Sequence, residues 1–178
     1  MPQDRAYPAQ LQVQLTTRGY RYEVINAGVS GETTAGGLRR LPWILKSSPD
    51  IVILELGGND GLRGLSLSET RSNLEVIIRG LSKAKVRVVL AGMKLPPNYG
   101  EEYTRQFESM YRELASRYDL VLIPFLLEGV GGNGALNQAD GIHPTGEGYR
   151  IVAETVLKTL LPILPQPERS ESRTKKKA

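Results

Sequence analysis

Residues 51–63, IVILELGGNDGLR, decide the fold of this chain. The stretch opens with a continuous apolar run, Ile51–Leu54, whose branched side chains and lack of alternation are typical of a strand buried on both faces. The run gives way to GGNDG, where glycines allow the backbone to turn sharply and to approach a ligand closely. Asn59 is therefore predicted to lie at the carboxyl end of a buried strand, where open α/β sheets place their binding crevices.

Asn59 itself has two interpretations. Its side-chain amide is a neutral donor that suits the oxyanion of a transition state. Asn-Asp-Gly is also ordinary turn chemistry, so the residue could serve the turn alone. The stretch by itself leaves both interpretations open.

Strand and helix patterns alternate on both sides of this stretch. We predict further strands at 22–27, 86–91 and 120–124, and helix N-caps at Thr33 or Thr34, at Ser66 and at Thr145. Such alternation predicts a three-layer α/β/α fold with a parallel sheet covered on both faces. The helices are predicted from apolar stripes at Leu11 and Leu15, at Leu38, Leu41 and Leu45, at Leu74, Ile77, Ile78 and Leu81, at Tyr103, Phe107, Met110, Tyr111, Leu114 and Tyr118, and at Tyr149, Val152, Val156 and Leu160.

Composition limits the possible functions. The length of 178 residues predicts one domain, residues 1–164, and the Pro-, Ser- and Lys-rich residues 165–178 are predicted to form a disordered basic tail. That tail carries +3 of the net charge of +4, so the high isoelectric point does not indicate a nucleic-acid-binding face. The absence of cysteine excludes disulfides, thiolate zinc sites and cysteine nucleophiles. No apolar run reaches membrane-spanning length, and the first residues do not resemble a signal peptide.

His143 is the only histidine, and it follows Asp140 by three residues in the turn DGIHP. That spacing lets the carboxylate reach back to one imidazole nitrogen and fix the tautomer, which leaves the other nitrogen free as a general base. A histidine near a helix start can equally be a capped surface residue. The motif alone does not choose between the two.

Gly31 lies in the loop 28–33, between a predicted strand and a predicted helix, so its backbone N–H could point at an anion. A glycine required only by the turn is the alternative. Together with Asn59 and the pair Asp140 and His143, it would complete a set suited to acyl transfer through a tetrahedral intermediate. That set lacks a nucleophile.

Three blocks of this sequence resemble signature blocks of the SGNH (GDSL) hydrolases: Gly31 in NAGVSGETT, GGND at 57–60 and DGIHP at 140–144. The segments ELGGNDGLRG and KLPPNYG resemble the bacterial acyl-CoA thioesterase, arylesterase and lysophospholipase branch of that family. The resemblance implies a flavodoxin-like sheet, oxyanion donors at Asn59 and Gly31, and a base pair formed by His143 with Asp140.

The amino-terminal block of the family, a strand running into Gly-Asp-Ser-Leu with the nucleophilic serine, is absent from these residues. By resemblance, we expect the nucleophile upstream of Met1 and the fold to lack its first, central strand. Ser30 is the nearest substitute, but we interpret it as a loop hydrogen-bonding residue. The chain as written is then expected to be inactive and poorly folded.

The leading hypothesis is a serine ester or thioester hydrolase for acyl esters, acyl thioesters or lysophospholipids, without cofactor or metal. We expect a monomer with a small-molecule substrate, no nucleic-acid partner and no integral membrane segment. The predicted location is periplasmic or secreted if a signal peptide is present in the full-length protein, and cytoplasmic as written. The predicted acyl-chain wall comprises Leu95, Pro96, Pro97, Asn98 and Tyr99.

Two other hypotheses belong to different classes. A non-catalytic remnant could act as an acyl- or lipid-binding module. A flavodoxin-like nucleotide binder would need a phosphate loop, and neither a Walker motif nor Gly-x-Gly-x-x-Gly occurs.

Overall fold

The structure, a computed structural model, describes residues 5–167. The predicted tail therefore lies almost entirely outside the described residues. The elements follow in the order α1 (Tyr7–Thr17), α2 (Thr34–Lys46), β1 (Ile51–Leu54), α3 (Gly58–Leu62), α4 (Leu67–Lys83), β2 (Arg87–Ala91), a 3-10 turn (Pro97–Tyr99), α5 (Glu101–Tyr118), β3 (Val121–Ile123), α6 (Gly146–Leu160) and a second 3-10 turn (Leu161–Ile163).

The strands form a parallel sheet in the order β1-β2-β3, with Ile51 opposite Arg87 and Val89 opposite Val121. The side chains of β2 alternate between two cores. Val89 packs in the cluster that contains α1 and α6, whereas Leu90 packs in the cluster that contains α4 and α5. The sheet is therefore covered on both faces, and the predicted three-layer α/β/α fold is confirmed.

The two helical layers are held by fully buried side chains. Leu11 of α1 and Val156 of α6 lie in the first core, and Leu74 of α4 and Phe107 of α5 lie in the second. Burying one such side chain contributes about 1.5–3 kcal/mol. Among the described residues no helix is long and apolar enough to cross a membrane.

The prediction of a strand at 22–27 is wrong. The segment is extended, but no strand among residues 5–167 pairs with it. Its backbone instead binds the side-chain amide of Gln12: the Val24 N–H donates to Oε1 at 2.7 Å, and Nε2 donates to the Tyr22 carbonyl at 2.9 Å. Gln12 of helix α1 thus takes two of the hydrogen bonds that a neighbouring strand would otherwise make.

Two of the predicted N-caps are confirmed. The Ser66 hydroxyl accepts from the Glu69 N–H at the start of α4, and the Thr145 hydroxyl accepts from the Gly148 N–H at the start of α6. Helix α2 contains Gly37, and a Cβ at that position would lie 2.2 Å from the Leu56 side chain. Glycine there lets α2 approach the segment that follows β1.

Candidate active site

The turn after β1 is shaped by a close approach to α5. Gly57 has φ +103°, and a Cβ on it would lie 2.3 Å from the Tyr111 hydroxyl oxygen. That hydroxyl donates to the Leu56 carbonyl at 2.9 Å. Only glycine fits both the conformation and the space, and the chain then enters α3 with Asn59 in its first turn.

The Asn59 amide bridges two loops. Its Nδ2 donates to the Glu32 carbonyl oxygen at 3.0 Å, and the side chain is half-buried. A primary amide has two N–H groups, so one fixes the orientation while the second remains as a donor. The interpretation of Asn59 as a turn residue alone does not account for this bond across 27 positions.

Gly31 lies beside Asn59 in the adjoining loop. It has φ +73°, and its carbonyl oxygen accepts from Arg63 Nη2 at 2.9 Å. Within residues 5–167 its own N–H has no acceptor. Gly31 therefore has an uncommitted backbone donor, one residue before the carbonyl that the Asn59 amide binds.

Asp60 holds these two loops together, a role that sequence reasoning missed. It is 3% exposed; Oδ2 accepts from the Thr34 N–H at 2.9 Å and Oδ1 from the Thr34 hydroxyl at 2.6 Å. The predicted threonine cap of α2 is wrong, since Thr33 makes no side-chain cap and Asp60 supplies it across the chain. The sequence feature that could have indicated this role of Asp60 is a carboxylate within a glycine-rich turn after a buried strand.

Asp140 and His143 form the predicted pair. Asp140 Oδ2 lies 2.8 Å from His143 Nδ1, while Oδ1 accepts the backbone N–H groups of Ile142 at 2.9 Å and His143 at 3.0 Å. The loop is closed by the Gln138 N–H, which donates to the His143 carbonyl at 2.7 Å. The two backbone donors hold the Asp140 carboxylate, and the carboxylate fixes the imidazole ring through Nδ1. The other ring nitrogen, Nε2, remains free to take a proton.

The pKa of Asp140 is lowered to about 2, first by the backbone N–H groups of His143 and Ile142 and then by the imidazole. Asp140 is consequently ionised throughout the neutral range and accepts the hydrogen of Nδ1. Both side chains are open to solvent, at 59% for His143 and 46% for Asp140. The pair is thus oriented yet accessible to a substrate.

Tyr149 of α6 is influenced by charges both in this loop and directly after β1. The pKa of the Tyr149 hydroxyl is raised by burial first and then by the charges of Glu55, directly after β1, and of Asp140. The pKa of the Glu55 carboxyl is also raised, chiefly because surrounding protein displaces water from it. The residue nevertheless remains partly exposed to solvent. Tyr149 therefore lies within electrostatic reach of both Asp140 and the end of β1.

The segment 95–99 adjoins α3. The Leu95 side chain would lie 2.8 Å from a Cβ on Gly61, and the Tyr99 hydroxyl donates to the Leu62 carbonyl at 2.9 Å. Pro96, Pro97 and Asn98 are exposed. The segment therefore lies against α3, and its contact with an acyl chain stays a prediction.

In the structure, the predicted site residues are connected within two separate pairs. Gly31 and Asn59 are connected through Glu32, and Asp140 contacts His143 directly. No hydrogen bond links one pair with the other among residues 5–167, and no serine hydroxyl there bonds to His143. Ser30 is exposed beside Gly31 without such a contact.

Comparison with known proteins identifies the family of this chain. A profile of the GDSL-like lipase/acylhydrolase family matches residues 2–151. The chain belongs to this family.

Named relatives are ester hydrolases. Esterase TesA of Pseudomonas aeruginosa is 44% identical over 161 residues, which cover 90% of this chain and 80% of that protein. Thioesterase 1/protease 1/lysophospholipase L1 of Escherichia coli K12 is 39% identical over 79% of this chain and 68% of its own length. A crystal structure of TesA superposes with a TM-score of 0.89 at 42% identity, covering 92% of both chains. Family and relatives support an ester hydrolase of the SGNH type.

Proposed function

We propose that this protein hydrolyses carboxylic esters and thioesters through an acyl-enzyme, with His143 as the general base and Asp140 as its orienting partner. The observation that carries the proposal is the 2.8 Å contact from Asp140 Oδ2 to His143 Nδ1, which leaves Nε2 free. Asn59 and Gly31 would supply the oxyanion donors.

The chemistry follows from these roles. His143 Nε2 takes the proton of a serine hydroxyl as the serine oxygen bonds to the acyl carbon, and the carbonyl electrons move to oxygen. The Asn59 amide and the Gly31 N–H donate to that oxyanion. Collapse of the intermediate expels the alcohol or thiol, which receives the proton from His143. Water then repeats the sequence on the acyl-enzyme and releases the carboxylic acid.

The nucleophile is proposed to lie upstream of Met1, on a strand that pairs with the outer edge of β1. Within residues 5–167 that edge has no strand partner, although all four residues of β1 are apolar. A strand there would end beside the Asn59 turn, because the carboxyl ends of parallel strands share one edge. Residues 1–178 alone are accordingly proposed to be inactive.

The proposed substrates are small acyl esters, acyl thioesters or lysophospholipids, with Leu95 to Tyr99 along the acyl chain, and the protein is proposed to act as a monomer. The names of the relatives support this range of substrates. A second candidate function is a non-catalytic acyl-binding module. It is favoured by one observation, that no serine among residues 5–167 bonds to His143.

The test compares residues 1–178 with a form that carries the upstream nucleophile strand, using p-nitrophenyl butyrate and octanoate. We expect turnover only in the longer form, loss of turnover in its His143→Ala variant, and no effect of a chelator. Lys158→Ala, an exposed change on α6, is the control for purification effects. Equal activity of both forms, or full activity of His143→Ala, would contradict the mechanism. Tight binding of a fatty acid by an inactive long form would favour the binding module.

A further inference from the structure

Three side chains within residues 59–63 form hydrogen bonds with residues 31–34, which comprise Gly31 and the start of α2. Asn59 donates to the Glu32 carbonyl, and Asp60 accepts from both the N–H and the hydroxyl of Thr34. Arg63 donates from Nη2 to the Gly31 carbonyl at 2.9 Å. Of the three, Arg63 alone bonds to Gly31 itself.

Gly31 needs such a bond more than its neighbours do. Its φ of +73° is open to glycine at little cost, but glycine also has the widest choice of other conformations. The Glu32 N–H donates to the Val29 carbonyl at 3.2 Å across the turn, but the Gly31 N–H itself has no acceptor within residues 5–167 that would fix its direction. A donor stabilises an oxyanion only if its direction is fixed before the reaction.

Arg63 is well placed to fix it. Its backbone N–H donates to the Asn59 carbonyl at 3.2 Å, and the hydroxyls of Tyr99 and Tyr103 hold the neighbouring carbonyls of Leu62 and Leu65 at 2.9 and 2.8 Å. No carboxylate in the described part of the chain forms an ion pair with its guanidinium. The Arg63 backbone is therefore anchored, and its guanidinium has no competing carboxylate partner. Both features favour the bond from Arg63 to the Gly31 carbonyl.

We propose that Arg63 is a positioning residue of the oxyanion hole, which locks the Gly31 N–H against the Asn59 amide. The proposal rests on the proposed hydrolase function. Arg63 would act through Gly31 and would not touch the reacting atoms. Its exposed side chain covers no core, so its removal should leave the fold intact.

The kinetic test uses the protein with its nucleophile strand. Arg63→Ala should lower kcat for p-nitrophenyl butyrate by roughly ten- to a hundredfold with KM within about twofold, less than the loss of a donor outright. Arg63→Lys, which keeps a charged donor on a long side chain, should recover part of that loss. Arg79→Ala is the matched control, since Arg79 is exposed on α4 and makes no side-chain bond within residues 5–167.

A second readout does not depend on catalysis. In the ¹⁵N-labelled protein, Arg63→Ala should reduce the heteronuclear NOE at Gly31, while the Thr34 amide, held by Asp60, stays unchanged. Unchanged NOE values at Gly31, or a loosened Gly31 with unchanged kcat, would overturn the role of Arg63. A parent protein with no turnover would instead refute the hydrolase function, and the NOE arm would still decide whether Arg63 orders Gly31.

Discussion

Replacement of Asp60 by alanine probes the buried bond between the two loops of the candidate oxyanion hole. Asp60 is 3% exposed, and its two oxygens accept the Thr34 N–H at 2.9 Å and the Thr34 hydroxyl at 2.6 Å. Thr34 is fully buried, so water cannot readily replace the lost acceptors. Asp60→Ala should therefore destabilise the fold and loosen Asn59 relative to Gly31.

The magnitude follows from the two bonds. Loss of an N-cap acceptor costs about 1 kcal/mol. A buried hydroxyl left without an acceptor adds about 1–3 kcal/mol, and relief of the buried charge offsets part of the total. We expect a net loss of about 2 kcal/mol in the free energy of unfolding, which a domain with about 5–15 kcal/mol of stability survives in weakened form. Asp60→Asn keeps one carbonyl acceptor and should lose roughly half as much.

Urea unfolding followed by far-UV circular dichroism measures this change, in the protein that carries the nucleophile strand. Asp50→Ala is the matched control, because Asp50 is an exposed aspartate whose side chain makes no hydrogen bond within residues 5–167. The m-value should stay constant, so that the shift in midpoint reports stability. A loss below about 1 kcal/mol, or one equal to that of Asp50→Ala, would refute the proposed brace.

Two further predictions concern the chemistry. Asn59→Ala should lower kcat for p-nitrophenyl esters by about a hundred- to a thousandfold, roughly 3–4 kcal/mol, with KM little changed; a predominant KM effect would indicate ground-state binding instead. Because the folded state lowers the pKa of Asp140 to about 2, its ionised form stabilises the fold above about pH 4, and that contribution disappears as the pH falls towards 2. The melting-temperature difference between wild type and Asp140→Asn should therefore shrink as the pH falls from 4 to 2, and a constant difference over that range would contradict the assigned bonds.

The contact between Asp140 and His143 in DGIHP and the position of Asn59 in GGND were predictable because their geometry is local. Asp140 and His143 lie three residues apart, and the closed turn between them settles their contact with little help from the remainder of the chain. Asn59 follows a buried strand, and parallel strands place such positions at one edge of the sheet. Apolar periodicity likewise predicted α4 and α5, since a strong helical stripe has only one core to face.

Other features depended on partners distant in sequence, which only the tertiary structure supplies. The segment 22–27 has the composition of a strand, but strand formation needs a neighbouring backbone, and Gln12 binds it instead. The cap of α2 comes from Asp60, 26 positions away, and not from the threonines at its own start. The contact of Arg63 with Gly31 likewise spans 32 positions. The sequence by itself determined the candidate residues of the site, because short-range turns and periodicity act within a few residues. Packing decided what holds them in place, because a buried charge or a free donor takes whichever partner the fold brings to it.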